Sequence, residues 1–356
     1  MSINNISKKR FRLDYVDIFR GIALLIMVSI QIFDYLSVSS IYNTPPYYVK
    51  AINSVTWVPP SLLFTFVVGM SVFLMINNKL KFNLKKSQIV LDVIKRYGKY
   101  VLISLPFTLI MWSLKTYVGW EEAIQGLGLC AVFLGIFLLS FKKIPIKYLI
   151  LIIVIFAYLQ SFLPNYVNNL AIFAKYPRYP DLNGNGLTIL ISVILNALIR
   201  GWFSIVNLFP IMLGGLIFIR LALKNKTLSH LFLFSLSFLT LSIVLDLIGL
   251  PIDYYGRSFS LTFFAIGESA LICTLFYYLY KKKKDLIIFK PLKVFGLAAF
   301  TIYIGHYLLI LKVLELLKLK DLLPDLIAGL ITIPLVIIVY FVAKAHLERK
   351  QNLFKN

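Results

Sequence analysis

Ten separate stretches of this sequence are apolar and long enough to cross a bilayer: about 16–38, 57–78, 98–117, 123–141, 147–164, 204–223, 230–250, 259–280, 294–316 and 325–345. A spanning helix needs about 20 such residues, because each contributes 1.5 Å across a hydrocarbon layer about 30 Å thick. Lipid offers backbone polar groups no partners, so helices that satisfy their own hydrogen bonds are the expected element. Composition agrees, with 60% hydrophobic residues and a mean hydropathy of +0.85, against about 45–50% apolar residues in soluble domains. The expected fold is an all-α membrane protein, a polytopic bundle of about ten transmembrane helices. One further run, LTILISVILNALI at 187–199, is apolar but short. It reads as interfacial, re-entrant or an eleventh span.

Charge orients the bundle. The net charge is +22, and the basic residues cluster between the apolar runs. With a cytoplasmic N-terminus and ten spans, 27 of the 37 Lys and Arg residues fall inside, nine fall outside and Arg20 lies in the first helix. That asymmetry is the positive-inside pattern, and it places both termini in the cytoplasm. An eleventh span would carry the KKKK run at 281–284 to the outside, so ten spans are favoured. No basic stripe interleaved with aromatics lies on a polar helix, which excludes a nucleic-acid partner. The domain reading is a basic cytoplasmic N-terminus at 1–15, a single transmembrane domain at 16–345 and a cytoplasmic tail at 346–356. The first run is too long for a signal peptide and reads as an uncleaved first helix. Residues 165–187, rich in Asn, Tyr, Pro and Gly, form the largest outer segment, a connecting loop whose composition also suits sugar stacking.

Cys130 and Cys273 lie inside apolar runs without a CxxC or Cys/His neighbour. They read as small buried hydrophobes, and neither a disulfide nor a metal site is expected.

Polar groups within the spans mark the functional positions, since an ionisable group at membrane depth must face the bundle interior or a wet cavity. Arg20 is about 6 Å from the inner start of its helix, Asp17 is at the interface, and Asp34 is about 27 Å along, near the outer surface. Glu268 lies about 14 Å in from the outer end of its helix, and His306 comes to a similar depth on the following one. Tyr303 is one turn from His306 on the same face. Gln31 and Asp246 also fall in the outer half. His306 and Glu268 either hydrogen-bond neighbouring helices or share a pocket. A His there suits acyl transfer, as it can take a proton from an amine or hydroxyl, with a carboxylate orienting the ring.

RLDYVDIFRGIALLIM at 12–27 resembles the N-terminal signature of the heparan-α-glucosaminide N-acetyltransferase catalytic-domain family, in which an Asp and an Arg-Gly open the first membrane helix. The resemblance continues in IFDYL at 32–36, where prokaryotic members often carry Phe-Asp, and in LLFTFVVGMSVFLMIN at 62–77. IQGLGLCAVFLGI at 124–136 and VNLFPIMLGGLIF at 206–218 fit weaker family patterns, and GLAAFTIYIGHYLLIL at 296–311 is similar to the late helix bearing Tyr-x-x-His. A prokaryotic member is what these motifs suggest. The resemblance implies acetyl transfer from cytosolic acetyl-CoA to an amino sugar or a related glycan or lipid-linked acceptor at the cell membrane. Asp17, Arg20 and Gly21 match the first motif and would meet the donor; Asp34 and His306 match the later ones. With Glu268 they make up the expected catalytic set, and Gln31 and Tyr303 the acceptor-binding pair. One departure stands out. Many prokaryotic relatives carry a His three residues before the Asp of Phe-Asp, and Gln31 stands there instead. An amide cannot serve as a general base, so His306 acts alone, the substrate differs or the activity is lost.

Two other functions stay open. One is a transporter or flippase, for which PPSLL at 59–63 and FPIMLGG at 209–215 are the expected helix breaks. The other is an inactive member serving as a partner. Membrane lipids are expected partners in every case, and a homo-oligomer is compatible with all three.

Overall fold

The structure, a computed structural model, describes residues 13–38, 60–111, 123–141, 144–170, 185–201, 203–224, 227–252 and 258–353. Lys8 to Arg12, most of the outer loop (171–184) and the end of the 98–117 run lie outside the described residues.

The apolar runs become helices with the ends that local chemistry specifies. Helix α1 (Asp14–Leu36) has Asp14 and Asp17 in its first turn, where carboxylates favour the positive helix end. Helix α2 (Pro60–Lys81) starts on a proline, which needs no N–H partner there, and ends on Lys79 and Lys81. A short helix α3 (Lys86–Val93) leads through a π-helical turn (Ile94–Gly98) into α4 (Lys99–Met111). Helices α5 (Ala123–Ser140) and α6 (Ile146–Asn169) follow. Helix α7 (Gly186–Leu195) is capped by Asn185, whose side chain accepts from Leu187 N at 2.9 Å, and passes through a second π turn (Asn196–Arg200). Gly201 and Ser204 are extended before α8 (Ile205–Leu223). Then come α9 (Leu228–Leu247) and α10 (Phe259–Lys282), the latter capped by Ser258.

The run expected at 294–316 is divided. Helix α11 (Phe289–Leu297) ends at Ala298, α12 (Ala299–His306) follows, and a third π turn (Tyr307–Leu311) leads into α13 (Lys312–Leu316). Helix α14 (Asp325–Leu353) is continuous through Pro334, so residues 346–353 of the expected tail form its last turns.

Among the described residues nine helical stretches are long and apolar enough to cross a membrane, and no strand occurs. The chain is an all-α polytopic membrane protein. The tenth expected run is represented by α4, with its remainder outside the described residues. Residues 187–199 form α7 and its π turn, set off from α8 by the extended Gly201 and Ser204. Of the two breaks expected for a transporter, the one at 209–215 is absent, and Pro59 of the other lies outside the described residues. Pro60 begins α2, and α8 runs unbroken through Pro210.

Helices α1, α2, α8 and α10 form the centre, with α8 buried almost all round. Helices α6, α9 and α14 lie outside it and leave apolar faces such as Leu233, Leu241, Ile333 and Phe341 exposed. Lipid is as apolar as those side chains, so close backbone packing holds the centre together. At the α2–α8 crossing a Cβ on Gly69 would lie 2.1 Å from the Met212 carbonyl oxygen, and one on Gly215 would lie 1.9 Å from that of Phe66. Only glycine lets the two backbones approach so closely. The end of α1 is also clamped. Asp321 N donates to Tyr35 O at 3.1 Å, Leu323 N to Leu36 O at 2.9 Å, and Val38 N to Leu323 O at 3.0 Å, while Ser37 Oγ donates to Asp325.

Candidate functional site

Helix α1 carries two polar clusters, eleven residues and therefore about 16 Å apart. The first surrounds Arg20. Its Nη1 donates to Asp17 Oδ1 at 3.0 Å and to Gly296 O at 3.1 Å, and its Nη2 donates to Ser71 Oγ at 2.7 Å. One guanidinium thus ties α1, α2 and α11 together. The planar fork of Arg supplies these diverging donors, which the single ammonium of Lys cannot. Asp17 is buried, and 18% of the Arg20 side chain is exposed. Gly21, expected to meet the donor, lies against the Leu292 backbone, where no side chain would fit. Ser71 and Gly296 were not singled out in the sequence, although Ser71 belongs to the Gly-Met-Ser segment of α2.

The second cluster surrounds His306, which is 1% exposed. Its Nδ1 lies 3.0 Å from Ile302 O, one turn back on α12, and its Nε2 lies 2.7 Å from Gln31 Oε1. At its far end Gln31 Nε2 donates to the Tyr307 hydroxyl at 2.7 Å. Tyr303 meets the imidazole edge-on with ring centroids 5.6 Å apart, and Tyr307 lies 4.4 Å from it. The Ile302 carbonyl and the Gln31 amide oxygen both accept only, so in this arrangement both ring nitrogens donate; with the amide turned over, Nδ1 alone carries the proton and Nε2 is bare.

The structure therefore brings Gln31, Tyr303 and His306 together and adds Tyr307, which the sequence did not single out. The ring is oriented by the Ile302 carbonyl. Asp34 is one turn beyond Gln31 on α1. Glu268 is buried on α10, at 9% exposure, and α10 packs mainly on α9 and α8 while α12 packs on α1 and α14. Helix α1 packs against both. Asp246 Oδ1 accepts from Ile252 N at 2.9 Å and closes the turn after α9.

Residues 12–250, more than half of the chain, match the family model described as heparan-alpha-glucosaminide N-acetyltransferase, catalytic. The chain belongs to this family. It is thus a membrane protein of an acetyltransferase family, and such a family uses an acetyl-CoA donor in general. No curated protein matches the chain. The part matched to the acetyltransferase family contains Asp17, Arg20, Gln31 and Asp34, whereas Glu268, Tyr303 and His306 lie beyond it.

Proposed function

We propose that the protein transfers an acetyl group from cytosolic acetyl-CoA to an amino sugar, or to a related glycan or lipid-linked acceptor, at the cell membrane, with His306 as general base. One observation carries this reading. The His306 imidazole is within a single hydrogen bond of Gln31, the position where the resemblance places a His on α1. An imidazole is supplied at the same place from a different helix.

With Nδ1 donating to Ile302 O, Nε2 accepts the acceptor's proton as its nitrogen or oxygen bonds to the acetyl carbonyl carbon. The C–S bond then breaks and the proton passes on to the leaving thiolate. Tyr303 and Tyr307 wall the ring, and Asp34 and Glu268 are assigned to acceptor binding or proton exchange at the outer end. The donor is assigned to the opposite end, where its phosphates suit the partly exposed Arg20 and the lysines that close α2 and α10. Asp17 and Gly21 act there by holding Arg20 and α11 in place.

CoA release by purified protein in liposomes, from acetyl-CoA with and without glucosamine, tests the reading beside His306→Ala. Glucosamine-dependent release that the variant loses supports it. Undiminished release in the variant moves the base to Asp34 or Glu268. No release and no acetyl-CoA binding would favour a transporter or an inactive partner.

A further inference from the structure

We infer that the Gln31 carboxamide is a latch on His306, occupying the Nε2 position that an acceptor amine or hydroxyl must take and so keeping the acetyl donor from water until an acceptor displaces it. The inference rests on the reading of His306 as the base.

Three observations support it. First, Nδ1 is committed to Ile302 O at 3.0 Å within its own helix, so a proton can be accepted at Nε2 alone. Second, Nε2 is 2.7 Å from the Gln31 amide, and the residue is 1% exposed. At hydrogen-bond distance nothing fits between the two, and no acceptor reaches Nε2 until the amide moves. Third, the amide is held at its far end by the Tyr307 hydroxyl at 2.7 Å, which makes its position a defined one.

The same three groups fit either protonation state of the ring. A ring with a bare Nε2 takes the NH2 end of the amide, and the Tyr307 hydroxyl then donates to the amide oxygen. A ring protonated at both nitrogens donates to the amide oxygen, and the NH2 end donates to Tyr307, which is the arrangement in the structure; turning the amide over gives the first. Gln offers both kinds of group and Tyr both donates and accepts, so the latch closes equally well before and after proton transfer. An acceptor amine or hydroxyl replaces the amide in kind at Nε2. Binding of the rest of an acceptor sugar supplies the free energy to swing the Gln31 side chain out. Water forms the same hydrogen bonds but brings no such remote binding energy.

With the latch removed, water takes the acceptor's place. Its oxygen bonds to the acetyl carbon, its proton passes through Nε2 to the leaving thiolate, and the products are acetate and CoA. Gln31 and Tyr307 are thus positioning residues that set the ratio of transfer to hydrolysis.

The test compares wild type with Gln31→Ala and Tyr307→Phe, as full chains in liposomes, by two readouts. The first is CoA release without an acceptor relative to release with glucosamine. The second is carbethoxylation of His306 by diethyl pyrocarbonate, followed by mass spectrometry, which reports access to Nε2 without any turnover. Gln31→Ala is expected to raise both by about tenfold, the equivalent of one hydrogen bond. Tyr307→Phe, the milder change, is expected to raise both by a smaller factor. Unchanged ratio and unchanged carbethoxylation in both variants overturn the latch, even where glucosamine-dependent transfer is intact. Faster carbethoxylation in Gln31→Ala with no CoA release from any protein supports the latch and overturns the acetyltransferase reading instead.

Discussion

Gly21 and Gly296 make one reciprocal contact: a Cβ on Gly21 would lie 1.8 Å from the Leu292 carbonyl oxygen, and a Cβ on Gly296 would lie 1.8 Å from that of Asp17. Each glycine receives the backbone of the other's helix, as Gly69 and Gly215 do at the α2–α8 crossing. Because the obstructing atoms belong to backbone, relief requires the helices to separate. Gly21→Ala and Gly296→Ala are each expected to cost about 1–3 kcal/mol. A lowered thermal unfolding midpoint in detergent would show it, with Gly186→Ala, where the added methyl meets nothing within 4 Å, as the comparison.

Arg20 is expected to tolerate no replacement. Arg20→Met leaves the buried Asp17 carboxylate without its cation, a loss of about 3–5 kcal/mol. Arg20→Lys keeps the charge but not the fork that reaches Asp17, Gly296 and Ser71 together, and is expected to recover less than half of that stability. Unfolding midpoints of the two variants and of Ser71→Ala distinguish a three-helix brace from a point charge.

Beyond the spans, the Lys79 side chain hydrogen-bonds Asp92 on α3, and that bond holds the Asp92 carboxyl below the usual carboxylate range. A depressed pKa contributes stability that is present above the unfolded value and lost as pH falls through the folded one. The contribution is therefore full at neutral pH and disappears below about pH 4. Asp92→Asn is expected to flatten the acid limb of a stability–pH profile while leaving the profile unchanged in shape above pH 6.

Orientation is open to a labelling experiment. Lys283 and Leu322 are exposed in the loops at opposite ends of the α11–α13 segment, and both native cysteines are buried, which keeps background labelling low. A membrane-impermeant maleimide is expected to label Leu322→Cys in intact cells and Lys283→Cys only after permeabilisation. The reverse pattern would invert the topology and put the basic loops outside.

Most helix positions were legible in the sequence because length and hydropathy alone decide them: 16–38 became Asp14–Leu36, and 259–280 became Phe259–Lys282. The division of 294–316 was not, since nothing in GLAAFTIYIGH marks a break by proline. Gly296, seated on the Asp17 backbone, lies two residues before the division at Ala298, and that contact is a tertiary one. Depth along a helix placed Gln31 and His306 in the same half, but periodicity says nothing about which helices are neighbours. Tyr307 escaped for a geometric reason. In a regular helix adjacent residues face different ways, so Tyr303, not Tyr307, was the expected companion of His306. The π turn that begins at Tyr307 and the reach of Gln31 bring both side chains to one amide.

The contact between Gln31 and His306 joins positions 275 apart in the chain. Membrane helices are inserted in order from the N-terminus, so the whole family-matched region can be in place while the imidazole is still unsynthesised. A nascent or prematurely terminated chain would carry the motifs of the matched region, but neither the Tyr-x-x-His segment nor the imidazole proposed as the base. The Gln31–His306 contact is made last, when α12 docks against α1, and the proposed site does not exist in a chain that stops short of it.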